Sequence, residues 1–406
     1  MSLIKTITSE LKLQKKKLDV FKDSKIKVPF FYPSISKNDQ FAVKNALNSP
    51  LLTDGPLLQK FEKEFAKFTG AKFAIGVSNA TASLHLCLKS LGITKGDEVI
   101  IPDMTFVATA SSVLFTGATP VFADIDNDLN ISVDSIEKNI SKKTKAIIPV
   151  HFAGKICNIT KIKKIADKYD LKIIEDCAHA IGTRNEKKHV GIFGDAGCFS
   201  FYPTKNITTI EGGMVITNSK EIAKYVLTAR NHGITKSLSN RFSSGKPWEY
   251  DVIEPGYNYR LDEIRAALGI NQLKRIKKLN LQRKIAAKYY NLHLNKLKGI
   301  EVPKFSNKDD DVHHLYIIKI KKEFGVSRDN LFKKLLSSGI RTSVHYKPLH
   351  KFTIFNKKGK IYHKITNSAN SYSEIISLPL FPGITRKEQN IVIKNIQRLK
   401  VKNDLH

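Results

Sequence analysis

The chain has 406 residues, 41% hydrophobic and 9% aromatic, with 68 Lys and Arg against 37 Asp and Glu, for a formal charge of +31. That length supports a large core in two domains, and no run approaches the roughly 18 apolar residues of a spanning helix, so membrane insertion is not expected. The charge invites a polyanion partner, but it is overwhelmingly lysine spread as KK pairs, whereas base readout and phosphate clamps favour arginine; it reads as a solvated surface, and no nucleic acid is expected.

The N-terminus has no signal-peptide h-region, and Cys87, Cys157, Cys177 and Cys198 are too scattered for a disulfide framework, which together point to the cytoplasm. Residues 1–26 place Ile4, Ile7, Leu11, Leu18 and Phe21 at helical steps between lysines, predicting a basic amphipathic arm. From about residue 70 to 220, strand-like runs alternate with helical patterns: "FAIGVS", "EVIIP", "TPVFADI", "KAIIPVHFA", "LKIIED", "AGCFSF" and "GGMVITN". Such alternation predicts parallel βα units in an α/β domain over 27–290. A long basic helical stretch over roughly 261–297 follows, and then "HHLYIIKI", a helix near 328–338, "RTSVHYKPL" and a final helix near 385–399 predict a smaller α+β domain over 291–406. His313, His314, His345 and His350 have no carboxylate or cysteine at a convincing ligand spacing, so no metal is expected.

Three segments carry chemistry. In "VSNATASLHL" a strand runs into a helix whose N-terminus offers free N–H groups and short hydroxyls, suited to a phosphate, although Ser78 or Asn79 is read first as an ordinary cap. In "LKIIEDCAHAIG", Asp176 ends a buried strand, so its carboxylate lies at the carboxyl edge of the sheet, where it can keep a ring nitrogen protonated; Glu175 alternates to the other face. His179 follows three residues later and could reach the same place. In "FSFYPTKNITTIEGGMV", Lys205 follows a strand end, with Ser200 within reach of a phosphate and Gly212 and Gly213 letting the next strand pass close to a bound ring. A lysine held among apolar walls beside a second cation has a depressed pKa and becomes a Schiff-base nucleophile.

A phosphate cradle, a carboxylate for a ring nitrogen and an amine, in that order, resemble the pyridoxal phosphate enzymes of the aspartate-aminotransferase fold. Over roughly residues 27–400 the chain is similar to the DegT-type nucleotide-sugar aminotransferases, through "LLTDGPLLQKFEKEFAKFTG", "GDEVIIPDMTFVATA", "GATPVFADID", "TKAIIPVHFAGK", "IIEDCAHAIG", "FSFYPTKNITTIEGGMVITN", "ARNHGI", "GYNYRLDEIRAALG", "SVHYKPLH" and "SLPLFPGIT". The resemblance implies a fold type I large domain, pyridoxal 5'-phosphate attached to Lys205 and pyridoxamine 5'-phosphate as an intermediate. It also implies Asp176 at the pyridine nitrogen, Thr81, Ala82 and Ser200 on the phosphate, His179 at the ring hydroxyl and Phe106 stacked on the ring. Asn258, in "GYNYR", matches an asparagine that reaches the phosphate from the neighbouring subunit, which implies a homodimer with shared active sites. His345 and Tyr346 match a region bordering the sugar.

The implied reaction moves an amino group from glutamate to a keto sugar nucleotide. The wording "WEYDVIEPGYNYR" and "KNITTIEGG", with Ala80 where many relatives have glycine, leans toward members that aminate position 4 of a UDP-linked sugar, including pseudaminic-acid pathway enzymes. Alternatives are amination of a 3-keto sugar or a cyclitol ketone, a sugar dehydratase, disfavoured because such relatives carry histidine in place of Lys205, and a basic regulatory protein on an enzyme scaffold.

Overall fold

The computed structural model describes residues 26–235, 246, 248–304 and 309–403, so the predicted arm over 1–26 lies, apart from its last residue, outside the described residues. Seven strands form the main sheet: β1 Phe73–Val77, β2 Glu98–Pro102, β3 Thr119–Ala123, β4 Thr144–Ile147, β5 Lys172–Asp176, β6 Ala196–Ser200 and β7 Gly213–Thr217, in the order β1-β7-β6-β5-β4-β2-β3. Each of the seven predicted runs supplies one of them.

All neighbours pair in parallel except β7, which is antiparallel to both β1 and β6. The predicted parallel units are present in β2 to β6, and the exception at β7 has a simple reason. A parallel return needs a crossover of a dozen or more residues, usually helical, and the segment from Phe201 to Gly212 is a turning loop with no helix.

Helices cover both faces, which is why β2 and β7 are buried along their whole length. Along the first part of the chain lie α1 Lys37–Leu47, α2 Pro56–Thr69, α3 Ala80–Ser90 and α4 Val107–Phe115, followed by α5 Ile159–Tyr169 and α6 Lys220–Ala229. On one face Phe61 and Phe65 of α2 pack on Phe199 and Phe201, with ring centroids 5.1–5.7 Å apart across the helix-sheet contact. On the other face α3 is buried from Ala82 to Leu88, and Leu84 and Leu88 meet Val99, Ile101 and Ile174.

The predicted long basic helix is two helices, α7 Glu263–Lys274 and α8 Ile276–Leu294, separated at Arg275. A second core gathers Tyr290 and Leu294 of α8, Val28, the helices α9 Arg328–Ser337 and α11 Arg386–Asn403, and a three-stranded antiparallel sheet of β8 Ile300–Glu301, β9 Tyr316–Ile320 and β10 Ile375–Leu378. Helix α10, Asn367–Glu374, leads directly into β10. No described helix is long and apolar enough to cross a membrane.

Candidate active site

Strand periodicity decides which carboxylate of β5 serves the site. Ile173 and Glu175 point to the α2 side while Ile174 and Asp176 point to the α3 and α4 side. Glu175 is spent on structure: it accepts the N–H groups of Gly191, Phe193 and Gly194 and bonds the His151 ring at 2.9 Å. Asp176, nearly buried at the carboxyl end of the strand, accepts the Thr109 hydroxyl at 2.9 Å and the Ala178 N–H at 3.1 Å. Burial raises the pKa of Asp176, opposed by those two donors and by the field of Lys205. The result is a fixed carboxylate that an added cationic N–H would stabilise.

Lys205 lies on the loop after β6. Its N–H donates to Tyr202 O at 2.9 Å, and the loop is tied back by the Thr208 hydroxyl and the Thr209 N–H, both donating to Phe201 O. The Thr-Thr pair is therefore a clasp that holds the lysine turn. Burial brings the Lys205 ammonium down to about 8, with Asp176 pulling the other way and Arg283 adding repulsion. Arg283 of α8 is buried, donates to the carbonyls of His314, Leu380 and Thr204, and is itself lowered to about 9 by burial. It is the second cation beside the lysine, and sequence reading did not single it out.

Register brings the third segment alongside. Val77 faces Gly213 and Gly213 faces Ser200, so the loop after β1 and the end of β6 meet on one rung. Asn79 caps α3, its carboxamide oxygen accepting the Ala82 N–H at 2.9 Å. The Ala82 amide is used by Asn79, while the first-turn amides of Ala80 and Thr81 have no intrahelical partner. A Cβ on Gly213 would stand 2.5 Å from the Asn79 carbonyl and one on Gly212 2.3 Å from Thr209 Oγ1. The two glycines make room for the Asn79 loop and the Thr-Thr clasp.

His179 sits among aromatic neighbours, with the His314 ring 4.4 Å away and Tyr346 Oη 3.2 Å from its Nε2. Its Nδ1 accepts the Ala153 N–H at 3.4 Å, so the proton of the neutral ring resides on Nε2 and is donated to Tyr346. Burial, Lys205 and His345 hold its pKa well below the usual histidine range. Tyr346, accepting from His179, keeps its own phenol proton, and burial and Asp176 push its pKa upward. His345 bonds Ser377 Oγ at 2.8 Å and is lowered to about 4 by burial and Lys205. Phe106, the N-cap of α4, is 55% exposed, with its ring 5.9 Å from that of Tyr346. Asn258 is exposed and bridges Asn231.

Thr109 was also missed by sequence reading, and His314 was weighed there only as a metal ligand. Thr109 stands one turn beyond Phe106 on α4, a spacing that marks it only once Asp176 is known to face that helix. Among the described residues, the ligand-type side chains close enough to share a metal are His151, Glu175 and Cys177, not the histidines weighed from sequence, and the Glu175 carboxylate there is already committed to four donors.

The family model "DegT/DnrJ/EryC1/StrS aminotransferase family" matches residues 33–397. The chain belongs to the DegT/DnrJ/EryC1/StrS aminotransferase family. Members of this DegT family use pyridoxal phosphate, and a Streptococcus pneumoniae protein described as the putative sugar aminotransferase Spr1654 has been solved in PLP and PMP forms. Its PMP form is 29% identical, covers 92% of this chain and 99% of its own, and superimposes with a TM-score of 0.86. Helicobacter pylori PseC, an aminotransferase involved in the biosynthesis of pseudoaminic acid, is 32% identical with a TM-score of 0.85 over 92% of this chain and 99% of its own. The spore coat polysaccharide biosynthesis protein SpsC of Bacillus subtilis is 39% identical over 374 residues, covering 91% of this chain and 96% of SpsC. The chain is thus a DegT-family aminotransferase whose relatives include sugar aminotransferases.

Proposed function

We propose that the chain transfers an amino group from glutamate to the keto carbon of a sugar nucleotide, position 4 of a UDP-linked keto-deoxysugar, at sites shared between two subunits. The observation that carries this reading is Lys205, on a clasped loop after β6 and brought down to about 8 by burial, within the field of a buried Asp176 fixed by Thr109 and the Ala178 N–H. The residues present fit pyridoxal phosphate: the Asp176 carboxylate gains from a protonated ring nitrogen, the Ala80 and Thr81 amides with Ser200 suit a phosphate, and exposed Phe106 offers a face to the ring. When bound, the cofactor supplies a carbonyl for the amine and a ring that withdraws electrons.

Lys205 would hold the cofactor through its amine, which burial brings down to about 8; such an amine is partly unprotonated at neutral pH and can both accept a proton and return it. Asp176, held by Thr109 and the Ala178 N–H, would stabilise a protonated ring nitrogen with its carboxylate charge. His179 is fixed as the Nε2–H tautomer between Ala153 and Tyr346 and flanks the ring hydroxyl side. His345 and Tyr346 border the sugar, with the phenol proton of Tyr346 free to donate to a substrate oxygen. Asn258, exposed on this subunit, reaches the partner's phosphate site.

The test is glutamate-dependent amination across UDP-, GDP- and dTDP-linked keto sugars, with the aminated carbon identified in the product. Amination at position 4 of a UDP sugar is expected; amination of a 3-keto sugar or cyclitol alone would reassign the substrate, and no amination of any ketone would refute the reaction. Mixed dimers of Lys205→Ala and Asn258→Ala chains should regain one wild-type-like site per dimer, and no recovery in the mixed dimers would contradict shared sites.

A further inference from the structure

A cleft of about 690 Å³ opens between the end of α2, the α7–α8 junction and the segment around Gly182, away from the substrate-facing residues His345 and Tyr346. Its volume is that of a small-molecule pocket. Five cationic side chains line it, Lys67, Arg184, Lys274, Lys277 and Lys284, against two acids, Glu64 and Asp311. Phe68, Leu273 and Ile276 give it an apolar wall. Arg184 is anchored, its guanidinium donating to Phe68 O at 2.7 Å and to Lys187 O at 2.8 Å while lying over the Phe68 ring, so one cation is preorganised beside a flat apolar surface. Lys67, Lys274 and Lys277 are exposed at the rim.

The cleft communicates with the lysine loop. Asn280 lines it, packed so closely over Gly182 that a Cβ there would stand 2.6 Å from Asn280 Nδ2. Asn280 Oδ1 accepts from Asn206 Nδ2 at 2.7 Å, and Asn206 is the residue after Lys205. Asn206 Oδ1 in turn accepts from His314 Nδ1 at 3.3 Å, and His314 lies against His179. A ligand that shifts Asn280 therefore pulls on the segment that holds Lys205.

We infer that this cleft is a binding site for a nucleoside diphosphate, its ring on the Phe68 wall and its phosphates among the rim lysines and Arg184, and that occupancy alters the protonation of Lys205 through Asn280 and Asn206. Opposite charge attracts the diphosphate, and the apolar wall distinguishes a nucleoside diphosphate from a bare phosphate chain. The binding half of the inference is independent of the reaction proposed above; the coupling half rests on Lys205 carrying the cofactor.

The experiment is calorimetric titration of the cofactor-loaded enzyme with ADP and with inorganic pyrophosphate. Wild type and His345→Ala are expected to bind ADP with Kd below about 1 mM, at least about tenfold tighter than pyrophosphate, and the Lys274→Glu, Lys277→Glu double variant to lose at least about tenfold while keeping its bound cofactor. ADP should also move the pH midpoint of the cofactor's visible absorbance in wild type and not in the double variant. Unchanged ADP binding in the double variant, loss of binding in His345→Ala, or equal affinity for pyrophosphate would overturn the site. Saturable ADP binding that leaves the midpoint still would overturn the coupling while leaving the amination reading untouched, and failure of amination with ADP binding intact would do the reverse.

Discussion

Replacing Lys205 by methionine should make the cofactor-free protein more stable at neutral pH while abolishing activity. Burial brings the Lys205 ammonium down to about 8 in the folded chain, against 10.5 ordinarily; Asp176 offsets part of this and Arg283 adds a smaller repulsion. The sign follows from proton binding. Between about 8 and 10.5 the unfolded chain holds a proton that the folded chain has released, so wild-type stability rises with pH across that window and the full penalty is present below about 8. A shift of about 2.5 units corresponds to a ceiling of ~3.4 kcal/mol at about 1.36 kcal/mol per unit. Lys205 keeps some contact with solvent, which screens the effect and brings the expected gain to ~1–2 kcal/mol. Urea unfolding of cofactor-free wild type and Lys205→Met at one protein concentration, at pH 7 and at pH 10.5, measures it. The variant should lead at pH 7 and the gap should close by pH 10.5. A variant less stable at pH 7, or a gap independent of pH, would refute the assignment of a strained buried amine.

Other expectations come from contacts far apart in sequence. Gly213→Ala should weaken cofactor retention at least about tenfold, since its Cβ meets the Asn79 backbone at 2.5 Å and must displace the loop before α3; equilibrium dialysis of the cofactor would show it, and unchanged retention would count against a phosphate site there. Glu263→Gln should cost about 1–3 kcal/mol in urea unfolding, because this buried carboxylate accepts the N–H groups of Gly55, Leu57 and Leu58 and so closes the N-terminus of α2. Asp103→Ala should cost about 2–4 kcal/mol and raise the Michaelis constant for the proposed sugar substrate, since Asp103 holds the His350 ring and N–H and the Ser368 hydroxyl, fixing the segment that carries His345 and Tyr346. Asp103→Asn should recover part of both losses.

Local patterning made much of this protein legible in advance. Seven short apolar runs bounded by glycine and polar residues became the seven strands, because a strand buried on both faces must be apolar along its length wherever it sits. Asp176 and Lys205 were visible because one ends such a strand and the other follows one, and residues at the carboxyl ends of parallel strands gather at one edge of the sheet. Asn79 was legible as a cap for the same local reason.

What the sequence could not display were pairings between segments. Thr109 meets Asp176 across 67 residues, Tyr346 meets His179 across 167, and Glu263 caps a helix 205 residues earlier at Leu58. Neither partner in these pairs sits in a pattern that marks it, since a threonine in a helix or a glutamate after an aspartate is ordinary until the fold supplies a facing group. The direction of β7 was decided the same way, by the absence of a helix long enough to bring the chain back parallel. Sequence periodicity thus set which residues lie at the sheet edge, because periodicity is a property of neighbours along the chain. Tertiary packing alone set their ionisation and tautomers, because those depend on burial and on charges delivered from distant segments, as Arg283 is delivered to Lys205.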